Sequence, residues 1–192
     1  AVALAELERF VVEAPGHDAS RAFALAFIAG RLEGREGLLA VERVALHLGA
    51  DEEAVILALA HALHLSPHPG LGALLERWLR HHEPGLRVVA LRVLGGRKAL
   101  SEQALGRALE DPEARVVAAA LGAGMLGPPT HTVQLRGAIL QHEKSEDAAL
   151  RQAVLWALAV GGLAGADEQL LAAARAGDEL ALLPLALVAD ED

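Results

Sequence analysis

The chain has 192 residues and a formal net charge of −9, and 53% of its residues are hydrophobic although only 3% are aromatic. This length suits one domain, and the acidic balance disfavours nucleic acid or an anionic membrane surface as the main ligand. The absence of cysteine excludes disulfides, zinc–thiolate sites and a thiol nucleophile.

The sequence shows no targeting or membrane-spanning segment. No uninterrupted apolar run approaches the roughly 20 residues that cross a bilayer. The opening AVALAELERF contains acids and lacks the basic start of a signal peptide. We therefore expect a cytoplasmic protein. Because the chain begins at Ala1 without Met, a fragment of a longer solenoid is a further expectation.

One phrase recurs along the chain, and its clearest copy is EDPEARVVAAALGAG at 110–124. Asp111 suits a helix N-cap, Pro112 suits the first helical position, and Arg115 lies four residues after the acid. Aligned on that arginine, the copies place Arg21, Val55, Arg87, Arg115 and Arg151 in one slot, with a weaker sixth copy at Leu182. A period near 30 residues with two helices per unit predicts an α-solenoid.

The phrase acid-Pro-x-x-Arg-x-x-Ala, followed by a helix, a glycine and a second helix, resembles bacterial HEAT-like repeats of the phycobilisome-lyase-like kind. The resemblance covers about residues 18–188. It implies an all-α, right-handed solenoid of about five two-helix repeats plus terminal helices, in which the second helices line the concave face. It says little about function, because such repeats serve many roles.

In chain order, the pattern predicts a single domain over 1–192 that opens with a helix over 2–13. Five helix pairs follow within 18–48, 51–82, 83–109, 111–141 and 146–176. We expect Ser101, Thr130 and Ser145 to cap helices. The last helix, 178–188, contains Pro184, which should kink it or limit it to short turns.

The repeated arginines have two interpretations. They could bind an anion, or they could pair with acids at helix starts and form a ladder between repeats. The second interpretation explains the repetition itself, so we favour it. The pairs it predicts use acids of the same or the next repeat: Asp18, Glu83, Asp111 and Asp147.

Histidines and tryptophans also stand out. His61, His64 and His68 follow at i, i+3 and i+7, a spacing that could suggest a metal site. Pro67 interrupts that geometry, so solvated or capping roles are favoured and we predict no metal. We expect Trp78 and Trp156 to lie in the core.

The second helices carry the candidate binding residues. Their predicted non-core positions hold nine such side chains: Arg43, His47, Arg77, Arg80, His81, Gln103, Arg107, Gln134 and Arg136. A locally basic groove on an acidic protein would suit an acidic or extended peptide held by arginines. An ordinary solvated charged face is the alternative.

The sequence favours a non-enzymatic protein-interaction scaffold without a cofactor. It has no nucleophile elbow, Gly-rich phosphate loop or H-E-x-x-H motif. A lyase- or chaperone-like accessory for a cofactor-bearing protein and a nucleic-acid-binding HEAT module remain alternatives. Exposed leucines at the last helix also predict self-association through the solenoid ends.

Overall fold

The structure, a computed structural model, describes residues 2–14, 16, 18–48, 52–161 and 165–189. In those residues it has twelve α-helices and no strand, so the predicted all-α class is confirmed. The chain divides into two compact units, Ala1–Arg97 and Lys98–Asp192, and each unit has its own set of packed helices.

Unit 1 contains six helices: α1 (Val2–Val12), α2 (Ala19–Ala29), α3 (Arg35–His47), α4 (Glu53–His64), α5 (Leu71–Trp78) and α6 (Pro84–Gly96). The first helices of the repeats stack side by side, α2 on α4 and α4 on α6. The second helix α3 packs on α2, and α5 packs on α6. α1 packs on both α2 and α3.

Unit 2 contains the other six: α7 (Glu102–Leu109), α8 (Ala114–Met125), α9 (Thr132–His142), α10 (Ala148–Val160), α11 (Ala166–Arg175) and α12 (Leu182–Ala189). The first helices α8, α10 and α12 stack in that order. The second helix α9 contacts α7, α8 and α10, and α11 contacts α10 and α12. Short 3₁₀ turns at Pro129–His131 and Glu179–Ala181 precede α9 and α12.

Several predicted helix starts are confirmed. Asp18 accepts the backbone N–H groups of Ser20 and Arg21 at 2.9 and 3.1 Å. Ser101 accepts that of Ala104 at 3.2 Å. In the last helix, a 3₁₀ turn comes first and Pro184 lies in the first turn of α12, where it removes no intrahelical hydrogen bond.

Other predicted starts are wrong. α8 begins at Ala114, because Asp111 Oδ1 accepts the N–H of Glu113 at 3.0 Å and turns the chain around Pro112 before the helix. Thr130 does not cap α9; it lies inside the 3₁₀ turn that precedes that helix.

The start of α10 also differs from the prediction. Asp147 is the N-cap, with Oδ1 2.8 Å from the N–H of Leu150, and Ser145 lies outside the helix. Asp51, the acid of the second repeat, lies outside the described residues.

Three of the repeated arginines donate hydrogen bonds to backbone carbonyls that precede their own helix. Arg21 donates to the carbonyl of Phe10 at 3.0 Å and pairs with Asp18 at 3.2 Å. Arg151 donates to the carbonyl of Ser145 at 3.1 Å and pairs with Asp178, the acid of the next repeat, at 3.0 Å. The favoured ladder interpretation is therefore confirmed at these two positions.

Arg87 follows the same pattern with a different partner. Its Nη1 donates to the carbonyls of His81 and His82 at 2.7 and 2.8 Å, directly after α5. These two carbonyls belong to the loop between α5 and α6, so Arg87 fixes that loop against the start of its own helix. The acceptor carbonyl lies in the preceding helix for Arg21, and in the loop after the preceding helix for Arg87 and Arg151.

The core is built from small residues and leucines. Ala22, Ala26 and Ala29 of α2 are fully buried, which lets neighbouring helices approach closely. Trp78 is fully buried, as predicted. Trp156 is only partly buried, so its prediction as a core residue is wrong in part.

Candidate functional site

The nine predicted side chains lie on second helices or directly after them, five in unit 1 and four in unit 2. Most are exposed; His81 and Gln134 are partly buried. The two units use these side chains differently, because the arginines of unit 1 meet carboxylates whereas those of unit 2 do not.

Arg43 of α3 is bound to α1. Its Nε and Nη2 donate to the two carboxylate oxygens of Glu8 at 3.0 and 2.7 Å. This bidentate hydrogen bonding raises the pKa of Arg43 further. The pair joins two neighbouring second helices, and about half of the Arg43 side chain remains exposed.

Glu42 receives two donors from α5. Arg77 Nη2 donates to Oε2 at 2.6 Å, and the indole N–H of Trp78 donates to Oε1 at 2.9 Å. Burial raises the pKa of Glu42, but the hydrogen bonds from Arg77 and Trp78 outweigh it and leave the pKa below its usual value. The carboxylate therefore links α3 to α5 and satisfies the buried indole.

The remaining predicted residues of unit 1 make fewer side-chain contacts than Arg43 and Arg77. His47 is exposed, and Arg80 makes only a 3.9 Å ion pair with Glu76 one turn away. His81 Nδ1 accepts the backbone N–H of Glu83 at 3.1 Å, so it helps to begin α6. Burial and the neighbouring His82 lower the pKa of His81. This histidine has a structural role that the groove hypothesis did not include.

In unit 2, Gln134 joins α7 to α9. Its Nε2 donates to the carbonyl of Glu102 at 3.2 Å and lies beside Gly106, where an added Cβ would be 3.5 Å from it. α7 and α9 therefore contact each other within unit 2.

The remaining predicted residues of unit 2 lie on α7 and α9. Gln103, Arg107 and Arg136 are exposed, and none of them bonds to any residue that the structure describes. Two large apolar side chains of α9 flank Arg136: Val133 is 80% exposed and Leu140 is 59% exposed. We call these five residues the α7–α9 surface. It combines two arginines that have no partner among the described residues with exposed apolar side chains.

The histidines predicted to be without a metal occupy structural or exposed positions. His68 Nε2 lies 2.8 Å from the carbonyl of Gly34, and its Nδ1 accepts the N–H of Gly70 at 2.9 Å. His61 and His64 are exposed at the C-terminal end of α4. Across the described ranges, no three His, Cys, Asp or Glu side chains are grouped so that they could hold a metal ion.

Three clefts occur elsewhere on the two units. One of about 440 Å³ lies between α4 and α6 and includes Leu57, His61, His64 and Arg92. A second lies between α2 and α4, and the third lies around the entry to α12. None of the nine predicted residues lines these three clefts.

Sequence reasoning missed Glu8, Glu42, Val133 and Leu140. Glu8 precedes Arg43 by 35 residues, and Glu42 precedes Arg77 by 35. That spacing is close to the repeat period, so it could have identified both pairs. The exposure of Val133 and Leu140 had no comparable signal, because α9 carries apolar residues on more than one side.

Two comparisons with known proteins give no relative. No family model matches the chain, and no curated protein is significantly similar to it. In the part of the chain that the structure covers, none of the helices has the length and apolarity needed to cross a membrane.

Proposed function

We propose that this chain is a non-enzymatic binding module, built of HEAT-like repeats, that holds an acidic and partly apolar segment of a partner protein on the α7–α9 surface. The observation that carries the proposal is that Arg107 and Arg136, which have no partner among the described residues, lie together with exposed Val133 and Leu140 on two helices that contact each other. The proposed location is the cytoplasm.

The chemistry of the surface determines the class of partner. Guanidinium groups bind carboxylates in a bidentate manner, and Gln103 adds an amide for backbone or side-chain hydrogen bonds. Exposed Val133 and Leu140 would be covered by apolar side chains of the partner. An extended segment that alternates acidic and large apolar residues fits both requirements.

The arginines of unit 1 differ from those of unit 2, and this difference favours unit 2 as the binding surface. Arg43 and Arg77 already bind Glu8 and Glu42, so a partner carboxylate would have to displace an intramolecular one. Arg107 and Arg136 have no such competitor among the described residues. The proposal therefore rests on these two arginines and does not require the arginines of unit 1.

The proposal is tested by selecting ligands from a random-peptide display library on the full chain and measuring their affinity by fluorescence anisotropy. Selected peptides should be enriched in Asp and Glu together with large apolar residues. The double variant Arg107→Ala/Arg136→Ala should weaken their binding about tenfold, because two exposed ion pairs worth about 0.7 kcal/mol each sum to the roughly 1.4 kcal/mol of a tenfold change.

The matched control removes two exposed arginines of unit 1. Arg9 and Arg80 have 62% and 65% of their side chains exposed, so Arg9→Ala/Arg80→Ala makes the same change in net charge. This control should bind the peptides as the wild type does. Equal losses in the two double variants, or selected peptides without acidic residues, would overturn the proposal.

A further inference from the structure

His81 and His82 lie side by side in the loop that joins α5 to α6. Their ring centroids are 4.2 Å apart, with an angle of 31° between the ring planes. The Nδ1 atom of His81 accepts the backbone N–H of Glu83 at 3.1 Å, and Glu83 is the N-cap residue of α6. Arg87, in the first turn of α6, donates to the carbonyls of both histidines at 2.7 and 2.8 Å. The loop is therefore bonded to the start of α6 through a side chain and through its backbone.

The bond from Glu83 to His81 requires a neutral imidazole. A neutral ring has one donor nitrogen and one acceptor nitrogen, whereas an imidazolium has two donors and no acceptor. Because Nδ1 accepts a hydrogen bond in the structure, neutral His81 carries its proton on Nε2. A second proton on Nδ1 would point at the N–H of Glu83 and would break the bond.

The charges around His81 come from three helices as well as from the loop. They belong to Glu42 of α3, Arg77 of α5, His82 of the loop, and Glu83 and Arg87 at the start of α6. Burial of the ring lowers the pKa of His81 below the ordinary 6.5, and the charges of His82 and Arg77 lower it further. The two acids raise this pKa but do not offset the lowering. Folding therefore favours the neutral ring, which is the form that binds the Glu83 N–H.

We propose that the hydrogen bond between His81 and Glu83 is a pH-sensitive latch that closes the α5–α6 loop. The latch is closed while the ring is neutral, and it opens when Nδ1 takes up a proton. Opening frees the Glu83 N–H and the first turn of α6. The rest of α6 stays folded, because its core residues Val89 and Leu94 are buried and the helix packs on α4 and α5. The change is thus a local opening of one loop.

The direction of the pH dependence follows from the lowered pKa of His81. The latch makes its full contribution to stability above pH 6.5, and this contribution is lost as the pH falls from 6.5 through the lowered value. Glu42 keeps its charge in this range, because its own pKa lies below 4.5. Opening of the latch is therefore separate from the titration of Glu42.

Amide hydrogen exchange of the full chain, measured by NMR from about pH 7.5 to about pH 4.5, tests the proposal. The protection factor of the Glu83 amide corrects for the intrinsic pH dependence of exchange. It should fall at least about fivefold as the pH is lowered, because one hydrogen bond contributes about 1 kcal/mol. His81→Asn offers a side-chain oxygen as acceptor and does not titrate, so its Glu83 amide should keep the same protection throughout. His81→Ala removes the acceptor and should leave this amide weakly protected at every pH.

Two further histidine variants serve as controls. His47→Asn removes an exposed histidine of α3 and should behave as the wild type does. His82→Asn should keep the transition but move its midpoint to higher pH, because the neighbouring charge that lowers the pKa of His81 is gone. Constant helical circular dichroism across the range separates local opening from unfolding.

Three results would overturn the proposal. The first is a wild-type Glu83 amide whose protection does not change with pH. The second is a His81→Asn chain that loses this protection as the wild type does. The third is a loss of helical signal together with the loss of Glu83 protection, since that would be unfolding of the chain and not opening of the loop.

Discussion

At the scale of single residues, Glu42 is the most consequential side chain of unit 1. Only 17% of its side chain is exposed, and it accepts hydrogen bonds from Arg77 and from the indole of Trp78. Removing its charge weakens a charge-assisted bond without opening a cavity. The buried indole keeps an acceptor if the replacement is an amide.

Glu42→Gln should therefore lower the free energy of unfolding by about 1 kcal/mol. This value is smaller than that of a fully buried charged hydrogen bond, because about half of the Arg77 side chain is exposed to solvent. Urea denaturation monitored by circular dichroism measures this difference. Glu76→Gln, which removes the exposed 3.9 Å partner of Arg80, is the matched control and should change stability by less than about 0.5 kcal/mol. Equal effects of the two variants would show that the Glu42 contacts add nothing.

The same carboxylate predicts a pH dependence. The pKa of Glu42 in the folded chain is below the ordinary 4.5, so its contribution is fully present above pH 4.5 and disappears as the pH falls through the lowered value. The stability gap between the wild type and Glu42→Gln should accordingly shrink in acid. A gap that widens below pH 4.5 would contradict the assigned direction.

At the scale of helices, the backbones of α2 and α3 approach each other closely at Gly37. A Cβ added at Gly37 of α3 would overlap the carbonyl oxygen of Ala29, where α2 ends. Gly72 of α5 is also helical, but a Cβ there meets nothing within 4 Å. Substituting the two glycines therefore distinguishes the effect of helix packing from that of the low helix propensity of glycine.

Gly37→Ala should destabilise the chain by about 1–3 kcal/mol, because α2 and α3 must move apart. Gly72→Ala should stabilise it by about 0.5–1 kcal/mol, because alanine favours the helix and nothing obstructs it. Thermal unfolding of both variants measures the two signs. A neutral Gly37→Ala would mean that the α2–α3 contact is looser than the structure has it.

The C-terminal end of α4 shows how neighbouring helices complete one another. Arg97 donates to the carbonyls of Leu63, His64 and Ser66, and Arg31 reaches the carbonyl of Leu65 at 3.4 Å from the other side. Helix ends leave such carbonyls without intrahelical donors. Arg31, which follows α2, and Arg97, which follows α6, supply donors to these carbonyls.

At the scale of the whole chain, much of the helical order could be predicted from the sequence. The repeated arginine slot predicts the helix pairs, and Asp18 and Ser101 cap their helices as expected. The starts of α8 and α9 could not be predicted in the same way. The carboxylate of Asp111 closes a turn instead of capping α8, and a 3₁₀ turn takes up Thr130 before α9 begins.

The candidate site was predictable only in part. Sequence position places Arg43 and Arg107 on second helices, but it does not distinguish an arginine bound to a glutamate from one without a partner. That distinction depends on whether the neighbouring second helix carries an acidic side chain within hydrogen-bonding reach of the arginine. Glu8 does so for Arg43, and no described residue does so for Arg107.

The most direct test of the proposed function is an amide NMR titration of the full chain with an acidic peptide selected by display. Chemical shift changes should concentrate in α7 and α9, include Arg107 and Arg136, and weaken as salt screens the ion pairs. Changes confined to the clefts between the first helices α2, α4 and α6, with α7 and α9 unaffected, would contradict the account.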